Sequence, residues 1–172
     1  TVAFNQDIRS WNVSSVTDFF AMFNSATGMQ AAYSSTPNWG NTPSAAWFDT
    51  TAPTLSSVSI ASNNSTTTLA KADDVLTLTF TASEAISTPV VTFQSGGAAI
   101  TDTSITYTNT SGNTWTAAYT VNASDTSGAV TFSIAFADTV GNAGTAVTAT
   151  SNSTSVTASL DTTAPTLSSV SI

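Results

Sequence analysis

Hydrophobic and polar residues alternate in short runs along most of the chain, and turn residues separate the runs. Val75–Ala82 (VLTLTFTA) alternates strictly, with Leu76, Leu78 and Phe80 on one face and Val75, Thr77, Thr79 and Thr81 on the other. A period of two marks a strand with one buried face. Residues 129–137 (AVTFSIAFA) repeat the pattern, placing Val130, Phe132, Ile134 and Phe136 together. Further runs predict strands at 55–60, 89–93, 105–108, 115–121, 147–150 and 156–160. Gly96-Gly97 reads as a turn, and Ser111-Gly112-Asn113 as the turn of a hairpin. Short strands at this spacing, without helical periodicity, predict a mostly β chain folded as an Ig-like β-sandwich of two sheets. Trp115 and Tyr119 share a strand face opposite Tyr107, an arrangement that fills a sandwich core.

The segment DTTAPTLSSVSI occurs at 49–60 and again at 161–172, an offset of 112 residues. That period is too long for a solenoid unit and suits a small sandwich domain. The expected organisation is a sandwich over 49–160, with 161–172 opening the next repeat. Alternatively, 166–172 is donated to a neighbouring sandwich by strand addition, with Leu167, Val170 and Ile172 as inter-subunit contacts. A head-to-tail contact of that kind builds an open filament.

The segments DTTAPTLSSVSI, ADDVLTLTFTASEAI (72–86) and VTFSIAFADTVGNAG (130–144) together resemble the bacterial Ig-like tandem repeats of giant secreted adhesins. The resemblance implies beads on a cell surface, often stiffened by calcium at their joints. It also implies that an Asp at the joint and an Asp from the DTVGN loop hold the ion. On this sequence those positions are Asp49, Asp138 and Asn142, with Glu84 and the Asp73-Asp74 pair as helpers and Asp161 serving the next joint. Calcium takes six to eight oxygen ligands, which carboxylates, amides and backbone supply. The competing reading of such residues is that each Asp forms a turn by bonding its own backbone.

Residues 1–48 differ in composition, holding three of the four Trp and both Met. FNQDIRSWNVSSVTDFFAMFNSATGMQ (4–30) resembles the bacterial surface-protein 26-residue repeat, a leucine-rich-like unit. That resemblance implies a short strand at 11–13 and a turn or short helix at 16–23. A single solenoid unit cannot bury its apolar face alone. Residues 31–48, with Tyr33, Trp39 and Trp47 among Pro37, Gly40 and Pro43, therefore read as a cap closing the end of a leucine-rich-like solenoid. Trp39 and Trp47 are also the candidate residues for stacking on a sugar.

Composition narrows the chemistry. Two basic residues, Arg9 and Lys71, face ten acidic ones for a net charge of −8, and Cys and His are absent. Thr (35) and Ser (27) supply 62 of the 172 residues, so solubility rests on hydroxyls. Binding to nucleic acid needs a basic footprint that this chain lacks. Thiol chemistry, Cys/His zinc sites and histidine acid–base catalysis are equally excluded. No apolar run approaches the roughly 18 residues of a membrane span. Without an initiator Met, the chain is expected to be a piece of a longer protein. The expected role is a non-enzymatic, secreted or cell-surface structural and adhesive protein. Its expected partners are copies of its own repeat, glycans or another cell surface. The rivals are a glycan- or cell-surface-binding module using the solenoid face, and an accessory domain of an exported enzyme.

Overall fold

The computed structural model describes residues 6–36, 39–40, 42–160 and 166–172. The chain is mostly β. Its strands are β1 (Leu55–Ser62), β2 (Leu69–Ala70), β3 (Val75–Ala82), β4 (Val90–Ser95) and β5 (Ala98–Ala99). They continue with β6 (Thr106–Ser111), β7 (Thr114–Thr120), β8 (Gly128–Ala135) and β9 (Thr157–Ala158). One sheet runs β1-β3-β7-β6 and the other β2-β9-β8-β4-β5.

Side-chain alternation decides how the two sheets meet. In β3, each of Leu76, Leu78, Phe80 and Ala82 is buried and each residue between them is half-buried. The partner strands supply Val58 and Ile60 from β1, Ala117 and Tyr119 from β7, Val91 and Phe93 from β4, and Val130, Phe132 and Ile134 from β8. These inward faces close a single sandwich core, with the Phe93 and Tyr119 rings 4.7 Å apart across it. Trp115 is half-buried against the same core. Tyr107 reaches across the edge of the sandwich. Its hydroxyl accepts from the Val91 N–H at 2.9 Å, which occupies an outward-facing backbone donor of β4.

At the other side, the predicted strand at 147–150 reduces to one bridge, Val147 to Ile134. The residues after it explain why. Ser151 Oγ accepts from Val58 N–H, Thr154 Oγ1 accepts from Ile60 N–H, and Ser151 N–H donates to Val58 C=O. Hydroxyl side chains thus cap the outer edge of β1 where a strand would otherwise pair. At the turn between β4 and β5, Gly96 (φ 57°) lies against the backbone of Ser127 and Gly128 (φ 144°). A Cβ on either glycine would run into the other strand's main chain.

Before the sandwich, a separate cluster buries Ile8, Phe23, Met29, Trp47 and Phe48. It is held by a helix, α1 (Thr27–Tyr33), and a 3-10 turn at Ala45–Phe48. The strand expected at 11–13 is not formed. These residues have no strand alongside them among the described residues, and the backbone turns instead. Asp7, Asn12 and Asp18 each accept the N–H two residues on, fixing three successive turns. Turns occupy 14–15 and 20–25, so the turn or short helix expected at 16–23 forms only over its second half. Positive φ at Ala21 (54°) and Ser25 (61°) interrupts any helix there, so α1 begins only after them.

Candidate metal centre beside the sandwich

Asp49 follows the 3-10 turn and leads the chain from one core into the other. Its backbone N–H donates to Ala46 C=O, and its carboxylate accepts the Thr51 N–H at 3.0 Å. Glu84 sits just past the end of β3, and Asp138 just past β8. Antiparallel pairing brings the end of β3 beside the start of β7, and the bridges Ile86–Asp138 and Ala137–Ala143 fold the 138–142 loop over this pole. One oxygen from each of Asp49, Glu84 and Asp138 then lies within 4.8 Å of the others.

Asp138 organises the loop. Its Oδ1 accepts the backbone N–H groups of Val140 (2.9 Å), Gly141 (2.6 Å) and Asn142 (2.8 Å). Gly141, at φ 102°, allows the chain to wrap so tightly. The Asn142 amide donates to Asp138 Oδ2 at 2.7 Å and to Asp49 C=O at 3.1 Å, tying the loop to the incoming chain. Burial works against a charged Asp138 carboxylate. The hydrogen bonds from the Asn142 side chain and from the backbone of Asn142, Val140 and Gly141 outweigh it and lower its pKa. Glu84 moves the opposite way: burial raises its pKa first, and the charges of Asp49 and Asp138 raise it further.

The described residues form two ion pairs, Arg9–Asp7 and Lys71–Asp74, and neither reaches the triad. Three carboxylates therefore share a site without a cationic side chain paired to them. Oxygens ligating one calcium at 2.3–2.6 Å lie at most about 5 Å apart, so the 4.8 Å spread suits such an ion. A small cleft of about 60 Å³ opens alongside, lined by Arg9, Thr36, Ala46, Trp47, Asp49, Val140 and Asn142. It is far smaller than the roughly 300 Å³ or more of an organic-ligand pocket.

Four of the five sequence-derived metal positions meet here: Asp49, Glu84, Asp138 and Asn142. Asp161 lies outside the described residues. Asp73 and Asp74, expected as helpers, belong elsewhere. They precede β3 while Glu84 follows it, and an eight-residue strand spans about 26 Å. Asp74 instead locks the turn into β3. The Asn64 amide and the Lys71 backbone N–H, then the Lys71 ammonium, hold its pKa down at about 2 against the opposing effect of burial.

The sugar-stacking expectation fails at Trp47. Its ring is 2% exposed, flanked edge-on by Phe23, Tyr33, Trp39 and Phe48, and its Nε1–H donates to Thr36 Oγ1. Closure of an aromatic core outweighed display. Trp39 is half-buried, with one face stacked on Phe23 at 4.8 Å. Leu167, Val170 and Ile172 are exposed and belong to no strand. The first-strand position of this sandwich is already filled by β1, paired to β3 in cis from Leu55 to Ser62. Donation of 166–172 into that position would require displacing it.

Fold and site together define a β-sandwich protein with a carboxylate cluster at one pole. Residues 1–56 match a family described as "Mycoplasma protein of unknown function, DUF285", so the similarity covers the first third of the chain and stops within β1. No curated protein and no solved structure matches the chain. Among the described residues, no helix is long and apolar enough to cross a membrane.

Proposed function

We propose that this chain is a non-enzymatic structural segment of a secreted or cell-surface adhesin. In this reading an Ig-like bead is joined to a leucine-rich-like end by a calcium-dependent joint. The observation that carries it is the convergence of Asp49, Glu84 and Asp138 where the chain passes from the first core into the second. Asp49 and Asn142 belong to different elements, yet they share a hydrogen bond and line one cleft with Arg9 and Trp47. A cation held there would neutralise the mutual repulsion of the carboxylates and restrain the hinge between the units. Because DTTAPTLSSVSI recurs, Asp161 stands at the place equivalent to Asp49 for a following bead. The exposed residues 166–172 are then the first strand of that bead, and the array is covalent.

A catalytic reading of the same carboxylates starts from the opposite pKa shifts of Glu84 (raised) and Asp138 (lowered), since a glycosidase uses two carboxylates whose environments push their pKa values apart. The cleft lined by Asp49, about 60 Å³, is too small to enclose a sugar ring, and Glu84 and Asp138 do not line it, which favours the structural role.

Small-angle scattering of the whole chain tests the joint. Calcium should narrow the distribution of interatomic distances to that of one fixed arrangement of the two units, and chelator should broaden it. Identical profiles in both conditions would refute a cation-dependent joint.

A further inference from the structure

The sandwich concentrates its charge at its two poles. Between residues 49 and 160 there are seven carboxylates and one lysine. Asp49, Glu84 and Asp138 sit at the pole just described. Asp73, Asp74, Asp102, Asp125 and Lys71 occupy the loops at the opposite ends of β3 and β7. There Asp73 N–H bonds Val121 C=O, Asp102 accepts the Thr120 N–H, and Asp125 accepts the Asn122 N–H. Neither sheet carries a charged residue within a strand. On the sheet β1-β3-β7-β6, paired rows such as Ser59–Thr79–Thr116–Thr108 place hydroxyls side by side across all four strands.

Sheet edges need protection, because an unpaired row of N–H and C=O groups templates another strand. Ser151 and Thr154 cover β1. On the edge of β4, Tyr107 covers Val91 and β5 pairs with Gln94 and Ser95. The edge strands β2 and β5 are only two residues long. The remaining edge, β6 (TYTNTS), has no such cover and keeps a regular ladder from Thr106 to Asn109, with a bulge only toward its turn end at Asn109–Ser111. Five of its six residues are exposed. Among the described residues, no backbone group of β6 forms a main-chain bond outside its ladder with β7. It carries no Lys, Glu, Asp or Pro, the residues that usually blunt an edge.

We propose that β6 pairs antiparallel with β6 of a second copy, joining two four-stranded sheets into one eight-stranded sheet across a two-fold axis. The partner is a second copy because a neutral, hydroxyl-rich strand opposite itself buries no unpaired charge, and one self-complementary patch closes such a pair. The net charge of −8 does not oppose it at the contact. Asp102, the carboxylate bound at Thr120, lies four residues along β7 from the Thr108–Thr116 row, so a two-fold axis near that row puts it about 13 Å to one side and its counterpart about 13 Å to the other. The two carboxylates are then much farther apart than the roughly 8 Å screening length at physiological ionic strength. The pairing is lateral and independent of the pole, so it holds whether or not a cation binds there.

Sedimentation velocity of the 172-residue chain across a concentration series should show a reversible monomer–dimer equilibrium that survives chelator. The double variant Thr106→Lys/Thr108→Lys should lose the dimer while keeping the wild-type melting temperature. Since the chain has no Cys, single cysteines placed in turn at 106–111 give a second readout that stands even if the lysine variant misfolds. A disulfide dimer should form at the one position on the two-fold axis, where a residue faces its own counterpart with Cβ atoms within about 4.5 Å, and fall off at the positions on either side. A monomer at every concentration, a dimer unchanged by the lysines, equal cross-linking at all six positions, or a dimer abolished by deleting 166–172 would each overturn the pairing.

Discussion

Phe80→Ala should destabilise the sandwich by about 4 kcal/mol, the cost of removing a large aromatic side chain from a core that cannot collapse around the void. Phe80 is fully buried on the central strand of its sheet, opposite Val58 on one side and Trp115 on the other. Backbone hydrogen bonds to β1 and β7 hold β3 on both sides, so it has little freedom to shift inward. For a domain of this size a loss of 4 kcal/mol corresponds to a fall in melting temperature of roughly 15 °C. Urea unfolding followed by tryptophan fluorescence measures it, with Trp115 reporting on the sandwich core. A change under 1 kcal/mol would mean that the two sheets do not pack through this face.

The second large effect belongs to Asp138. Replacing it with Ala strips the acceptor from three backbone N–H groups and from the Asn142 amide. Each lost bond to a charged acceptor is worth about 1.5–3 kcal/mol at most. Rehydration of the loop, and relief of the repulsion on Glu84, offset part of that loss. A net destabilisation of about 2 kcal/mol is expected in chelator, measured by urea unfolding. Saturating calcium should widen the gap between wild type and variant, because a ligand bound only to the folded state adds stability that the variant forfeits. Asp138→Asn should keep much of the loop's hydrogen bonding through its amide oxygen and still lose the calcium-dependent part. Equal responses to calcium in all three proteins would confine Asp138 to a turn-forming role.

Strict alternation made β3 and the buried face of β8 readable from sequence, because a period of two leaves one choice of inward face. The duplicated DTTAPTLSSVSI located β1, and the DTVGN segment marked a tight loop through its Asp, Gly and Asn. Other features left no such trace. The two-residue strands β2, β5 and β9 are too short to show a period, and the parallel pairing of β2 with β9 joins segments nearly ninety residues apart. The helix α1 buries only Met29 and contains Gly28, so it lacks an apolar stripe. Asp73 and Asp74 stand ten residues or so from Glu84 in sequence, yet β3 separates them by its full length. Trp47 shows the same limit for aromatics: an exposed stacking platform and a core ring share one composition, and only the neighbours Phe23, Trp39 and Phe48 tell them apart.

Calorimetric titration of calcium into the metal-free chain, beside the Asp138→Asn variant, probes the polar carboxylate trio most directly. Saturable heat with a stoichiometry of one ion, abolished or greatly weakened in the variant, is the result expected of Asp49, Glu84 and Asp138 acting as one site. No saturable heat in the wild-type chain, or the same isotherm in both proteins, would contradict it.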